Sequence, residues 1–241
     1  LAFGSYLVLR QLANLNGHFL RERLLALAAY TALFNVNANL FVRTLGLLFA
    51  MAFFTAQGAR QGDTVLAANA VLLQFIMLTS YALDGFAHAA ESLVGRAYGR
   101  KDWREFAATV RAAAVFSFWT AGAAALLFAL GGNGLIALLT GLEEVRETAA
   151  HYLPWMVAMP LIAVWSYLLD GVFIGTTAVR EMRNSIFIGL AVYLPAWWLT
   201  QGLGNHGLWL AFMLFTLVRS AVLIHYYRLY YHRRYRLSHW R

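Results

Sequence analysis

The sequence contains no cysteine, which excludes disulfides and thiolate metal sites. Charge is scarce as well. Asp, Glu, Lys and Arg make up 12% of the 241 residues, whereas soluble domains carry roughly 25%. Phrases that mark common enzyme classes are missing: there is no G-x-S-x-G, no H-E-x-x-H and no Walker loop. The chain is therefore read as a non-enzyme. No signal-peptide pattern is recognisable and the first residue is Leu1 rather than Met, so a piece of a longer protein is expected.

What is present is apolar. Hydrophobic residues form 61% of the chain and the mean hydropathy is +0.59, values of a chain whose solvent is lipid. Stretches almost free of charge mark the spans. Leu24 to Ala59 carries only Arg43, and this run is longer than the roughly 20 residues that one crossing needs. The cluster Asn35, Asn37, Asn39 predicts a division into an interfacial helix over 24–36 and a first span over about 40–59. Thr64 to Leu83 predicts a second span whose helix continues through Asp84 to about Val94. Phe106 to Leu130 predicts a third, and Tyr152 to Leu169, continuing to Thr176, a fourth. Asn184 to Val218 holds two more, cut at the Gly-rich turn signal Gln201-Gly-Leu-Gly-Asn-His-Gly207. The expected fold class is all-α, a polytopic membrane protein built as a bundle of six transmembrane helices.

The net charge is +8. Its arginines fall between apolar runs, which suits anionic lipid headgroups rather than nucleic acid. Arg10, Arg21, Arg23, Arg43, Arg96, Arg100, Lys101, Arg104, Arg111, Arg180, Arg183, Arg228, Arg233, Arg234, Arg236 and Arg241 fall on one side of a six-span topology, sixteen of nineteen basic residues. Positive loops stay in the cytoplasm, so both termini are expected there. Arg43, one turn inside its span, is expected to snorkel to the interface. Tyr226, Tyr227, Tyr230, Tyr231, Tyr235 and Trp240 read as an interfacial aromatic belt. Glu143, Glu144 and Glu147 read as a solvated first helical turn.

Two spans carry the same phrase. Tyr81-Ala-Leu-Asp84-Gly85-Phe86 recurs as Tyr167-Leu-Leu-Asp170-Gly171-Val172-Phe173. Repeated halves are usual in transporters. A carboxylate inside a span needs a partner, a proton or water. Asp84, His88 and Glu91 share one helix face at i, i+4 and i+7, a face able to exchange protons or to coordinate sodium with oxygens. The plainer readings are a polar seam that fixes packing and, for His88, a satisfied interior histidine. His88-x-x-Glu91 also matches half of a carboxylate-bridged metal site, but no second half occurs. Arg219, the one mid-span cation, suits either a structural ion pair or an anionic group. Asn69, Gln74 and Thr79 suit a polar path or bridges between helices. Pro154 and Pro160 predict a bend in the fourth span. Phe53, Phe54, Phe75, Trp165 and Phe173 suit packing or stacking on a flat organic cation.

At these motifs the chain resembles the C-terminal half of a multidrug and toxic compound extrusion (MATE) transporter, in the DNA-damage-inducible protein F (DinF) group. The resemblance is carried by Leu66-Ala-Ala-Asn-Ala-Val71, Tyr81-Ala-Leu-Asp-Gly-Phe-Ala87 with Ala90-Glu91 and Tyr98-Gly99, Tyr167-Leu-Leu-Asp-Gly-Val-Phe-Ile-Gly-Thr176 with Met182-Arg-Asn-Ser185, and Gly204-Asn-His-Gly-Leu-Trp209. It implies one six-helix lobe of a twelve-helix antiporter that exports amphipathic or cationic compounds in exchange for protons or sodium. It implies an inter-lobe linker over 1–23, the lobe over 24–231 and a basic cytoplasmic tail over 232–241. It places Asp84, Glu91 and Asp170 at coupling positions, and Tyr81, His88, Tyr167, Asn69 and Arg219 around a substrate cavity. It implies no metal and no cofactor other than the coupling proton or sodium ion. The implied partners are the bilayer of the bacterial inner membrane, small amphipathic or cationic substrates and the missing N-terminal lobe. A flippase for a lipid-linked saccharide and a non-transporting membrane subunit are the alternatives.

Overall fold

The computed structural model describes residues 27–232. The linker expected over 1–23 and the tail from residue 233 lie outside them, as do Arg10, Arg21, Arg23, Arg233, Arg234, Arg236, Arg241, Tyr235 and Trp240. Six long helices follow one another: α1 (Leu27–Ala59), α2 (Asp63–Gly99), α3 (Trp103–Leu139), α4 (Glu143–Gly175), α5 (Val179–Thr200) and α6 (Asn205–Tyr227). A 3-10 turn (Gln201–Leu203) separates α5 from α6, and a π-helical turn (Arg228–His232) follows α6. Among the described residues there is no strand. All six helices are long and apolar enough to cross a membrane. With 37 residues each, α2 and α3 measure about 55 Å, so they outreach a hydrocarbon core of about 30 Å.

The chain divides into two units at Asn37 and Ala38. In the first, the described residues are helical and present Tyr30, Leu33 and Phe34 on an exposed surface. The boundary between the units falls inside the asparagine cluster, where a division is expected, but the helix is not interrupted there. Helix α1 is continuous, and the Asn37 amide donates to the Leu33 carbonyl at 3.0 Å. An asparagine that bonds back within its own helix needs no turn.

In the second unit, α4 and α6 are the most buried helices. The remaining spans expose Phe116, Trp119, Leu130, Leu138 and Trp198. Large apolar side chains turned outward on long uncharged helices fit a lipid surround. The core joins Phe54, Tyr193, Trp209 and Phe212, with the Phe54 and Trp209 rings edge-on at 4.5 Å.

Helices α2 and α4 touch at their backbones. A Cβ on Gly171 would stand 2.2 Å from the Ala87 carbonyl oxygen, and one on Gly175 2.4 Å from that of Glu91. Glycine is what allows this approach, as at small-residue crossings generally. Elsewhere polar side chains tie the bundle. Asn69 on α2 and Asn205 on α6 exchange reciprocal amide hydrogen bonds at 2.8 and 2.9 Å, and the Trp209 indole donates to the same Asn69 oxygen at 2.9 Å. Arg183 on α5 donates to Asn39 on α1 at 2.8 Å.

Local chemistry sets the helix ends. The Asp102 carboxylate accepts from the Arg104 and Glu105 amides at 3.1 and 3.0 Å, an N-cap for α3. Glu143 and Glu144 lie in the first turn of α4, where the helix dipole favours acids, and Thr64 donates to Glu144 at 3.1 Å. Pro154 and Pro160 sit inside α4, which remains one helix. Tyr231 departs from the expected belt. It is buried, edge-on to Tyr98, beside Phe106, and its hydroxyl bonds that of Thr176 at 2.7 Å.

Candidate functional site: an acid-lined cleft between four helices

Helices α1, α2, α4 and α6 enclose a cleft of about 440 Å³. It gathers Asp84, His88 and Glu91 from α2, Tyr167 and Asp170 from α4, and Arg219 from α6. The one-face spacing on α2 therefore turns its acids toward the same space as the second copy of the repeated phrase.

The two copies have different surroundings. Asp170 is buried, its side chain 11% exposed. Its Oδ2 accepts from the Nη2 groups of both Arg43 and Arg219, whose side chains are 17% and 9% exposed. Arg43 thus turns inward to a carboxylate instead of snorkelling to the interface. The reason is electrostatic: a carboxylate buried at low dielectric needs a counter-charge, and Arg43 supplies one together with Arg219. The trio leaves one uncompensated positive charge, and Asp170 Oδ1 and both arginine Nε atoms are buried without a hydrogen-bond partner.

Among the described residues, Asp84 is not ion-paired with an arginine. Its Oδ2 accepts from Ser80 at 3.3 Å, and Tyr167 lines the same cleft. One helical turn further, His88 Nδ1 and Glu91 Oε2 are 3.4 Å apart, with Glu91 the less exposed of the two. Oxygen groups suited to a hard monovalent cation thus line the α2 wall. Among the described residues, no three His, Asp or Glu side chains gather into a metal-binding group.

Two of the expected cavity residues lie elsewhere. Asn69 is buried in its pairing with Asn205 and Trp209. Tyr81 is 70% exposed and does not line the cleft. The aromatic candidates Phe53, Phe54, Phe75, Trp165 and Phe173 also lie outside the cleft, whose aromatic lining is Tyr167, Phe212 and Phe215. Among the polar residues lining the cleft, sequence reasoning did not single out Arg43, Ser80, Ser166 or Thr216 as site residues. A signal for Ser80 existed, because the repeated phrase extends one residue earlier: Ser80-Tyr81 matches Ser166-Tyr167. For Arg43 no local signal existed, since its partner lies 127 residues away.

The MatE family model matches residues 58–199. The chain is 38% identical to DNA damage-inducible protein F of Escherichia coli over 212 residues, 88% of this chain and 44% of that protein. It is 24% identical to Protein DETOXIFICATION 42 of Arabidopsis thaliana over 184 residues, 76% of this chain and 36% of that one. Among solved structures, the Vibrio cholerae MATE transporter VcmN in its bent form superposes with a TM-score of 0.83 at 20% identity, covering 98% of this chain and 53% of that one. A MOP superfamily transporter from Pyrococcus furiosus superposes with a TM-score of 0.73 at 17% identity, covering 84% and 45%. The chain spans about half the length of these relatives. With its six membrane-length helices and its matching model, the chain belongs to the MatE family of membrane transporters, which are not enzymes.

Proposed function

We propose that this chain is the C-terminal lobe of a secondary antiporter that exports amphipathic or cationic compounds in exchange for protons or sodium. The observation that carries the reading is the contrast within the cleft. Asp170 is matched by two guanidiniums, whereas among the described residues neither Asp84 nor Glu91 is paired with an arginine. A carboxylate without a fixed cation in a low-dielectric wall favours a mobile one. Asp84 and Glu91 therefore load the coupling ion. His88, Tyr167 and Arg219 line the cargo space. Asp170 belongs to the same coupling set by exchanging its arginines when the cleft changes charge.

A lobe of half the relatives' length implies a second, N-terminal lobe across the cleft. The relation to an Escherichia coli protein supports a bacterial inner membrane, and the distribution of basic residues supports cytoplasmic termini.

The test is efflux of a fluorescent organic cation from proteoliposomes containing the two-lobed protein, under an imposed pH gradient with and without sodium. Asp84→Asn and Glu91→Gln are expected to lower gradient-driven efflux by at least tenfold. Full efflux in both variants would remove the α2 acids from coupling.

One observation favours a second reading. Arg43 joins Arg219 in the cleft, and paired arginines recognise phosphates. A flippase for a lipid-linked saccharide would use them so. It would lose transport in Arg43→Gln and keep it in Asp84→Asn, the reverse of the first reading.

A further inference from the structure

A second groove, of about 950 Å³, lies away from the acid cleft. Helices α3 and α6 each pack against α4, and the groove runs between them with α4 as its floor. Trp165 and Leu168 form the floor, and Val110, Ala114 and Ile224 rise from the walls. One end is different. Arg111, His225 and Arg228 line it, and no Asp or Glu does. Arg111 sits about 12 Å along α3 from Trp103, and Arg228 directly follows α6. Both arginines are exposed, and among the described residues neither is ion-paired with a carboxylate.

An apolar trough with cations at one end is complementary to an amphipath with an anionic head. The charged end lies beside the buried Tyr231, which also lines the groove. Tyr231 is edge-on to Tyr98, which is itself edge-on to Trp103, next to the basic turn of Arg100 and Lys101. Aromatic and basic residues gather in this way at the headgroup level of a bilayer. Basic pockets between transmembrane helices at that level hold anionic lipid headgroups. A zwitterionic headgroup fits less well, because its ammonium meets arginines and finds no acid.

We propose that this groove binds one anionic diacyl phospholipid. The phosphate lies between Arg111 and Arg228, and an acyl chain runs along Trp165, Leu168 and Ile224. The site is independent of the transport cleft and of the reading given to it.

Native mass spectrometry of the full chain in detergent tests this, with equal amounts of phosphatidylglycerol and phosphatidylcholine of identical acyl chains. Wild type is expected to retain phosphatidylglycerol over phosphatidylcholine by roughly tenfold or more. Arg111→Gln/Arg228→Gln, two changes at exposed positions that spare the core, is expected to bring that ratio to about one. Arg104→Gln, at the same end but outside the groove, is expected to leave it unchanged. Ala114→Trp, which fills the trough, is expected to lower retention of phosphatidylglycerol. Equal retention of both lipids by wild type would overturn the proposal. So would an unchanged ratio in the double variant, or a loss in Arg104→Gln as large as in the double variant, which would mark a general surface field. Undiminished retention in a folded Ala114→Trp would overturn the acyl-chain placement.

Discussion

Arg219 on α6 and Asp170 on α4 are ion-paired inside the lobe, and Arg43 on α1 shares the same carboxylate oxygen. Three helices therefore converge on one atom. Removing the carboxylate by Asp170→Asn leaves two guanidiniums without a counter-charge, and such a change costs about 3–5 kcal/mol. Arg43→Gln leaves a one-to-one pair, at a position more open to solvent, and is expected to cost less. Thermal unfolding in detergent, followed by tryptophan fluorescence, ranks the two. Equal losses would contradict a shared carboxylate.

The reciprocal amides of Asn69 and Asn205 make a second, independent prediction. Asn69→Leu strands the Asn205 amide and the Trp209 indole N–H together. Asn205→Leu strands only part of Asn69, which keeps Trp209. A double-mutant cycle is expected to return a coupling of about 1 kcal/mol, the scale of interhelical hydrogen bonds in membranes. Simple additivity would show that the two amides do not hold α2 to α6.

The repeated phrase supplies its own control for packing. Gly171 carries the Ala87 backbone against it, whereas Gly85, its counterpart, has nothing within 4 Å. Gly171→Ala is expected to push α2 from α4 and destabilise by about 1–3 kcal/mol. Gly85→Ala is expected to be neutral within about 0.5 kcal/mol in the isolated chain. A stability loss in Gly85→Ala equal to that in Gly171→Ala would mean that helix propensity, not the crossing, decides.

Ser80 gives a prediction on function. Its hydroxyl donates to Asp84 at 3.3 Å. Ser80→Ala is expected to shift the pH profile of efflux while leaving the fold intact, and Ser80→Thr to restore it. A lower maximal rate with an unshifted profile would make Ser80 a packing residue only.

These comparisons also show which parts of the molecule could be read from its residues. The spans were legible because an uncharged run of some twenty residues has few other uses. The turn at Gln201 to Gly204 was legible because glycine with a left-handed φ of +57° ends one helix and starts the next at Gly204. The asparagine cluster marks the boundary between the two units but not a turn of the backbone, because Asn37 satisfies its amide within α1. In the cleft, Asp84, His88 and Glu91 were legible from spacing on a single helix. Arg43 and Asp170 were not legible as a pair, since their meeting depends on how distant helices pack. Tyr81 and Tyr167 stand at equivalent places in the repeat, but Tyr81 is exposed and outside the cleft whereas Tyr167 lines it. A phrase records a helix face, and its neighbours decide what that face meets.

The account rests on Asp84 and Glu91 exchanging a coupling ion for cargo. The most direct measurement is proton release when the purified two-lobed protein binds an organic cation in weakly buffered detergent solution, read with a pH dye. Wild type and Arg43→Gln are predicted to release protons on binding, and Asp84→Asn and Glu91→Gln to release clearly fewer. Release undiminished in both acid variants, with cargo still bound, would contradict the account.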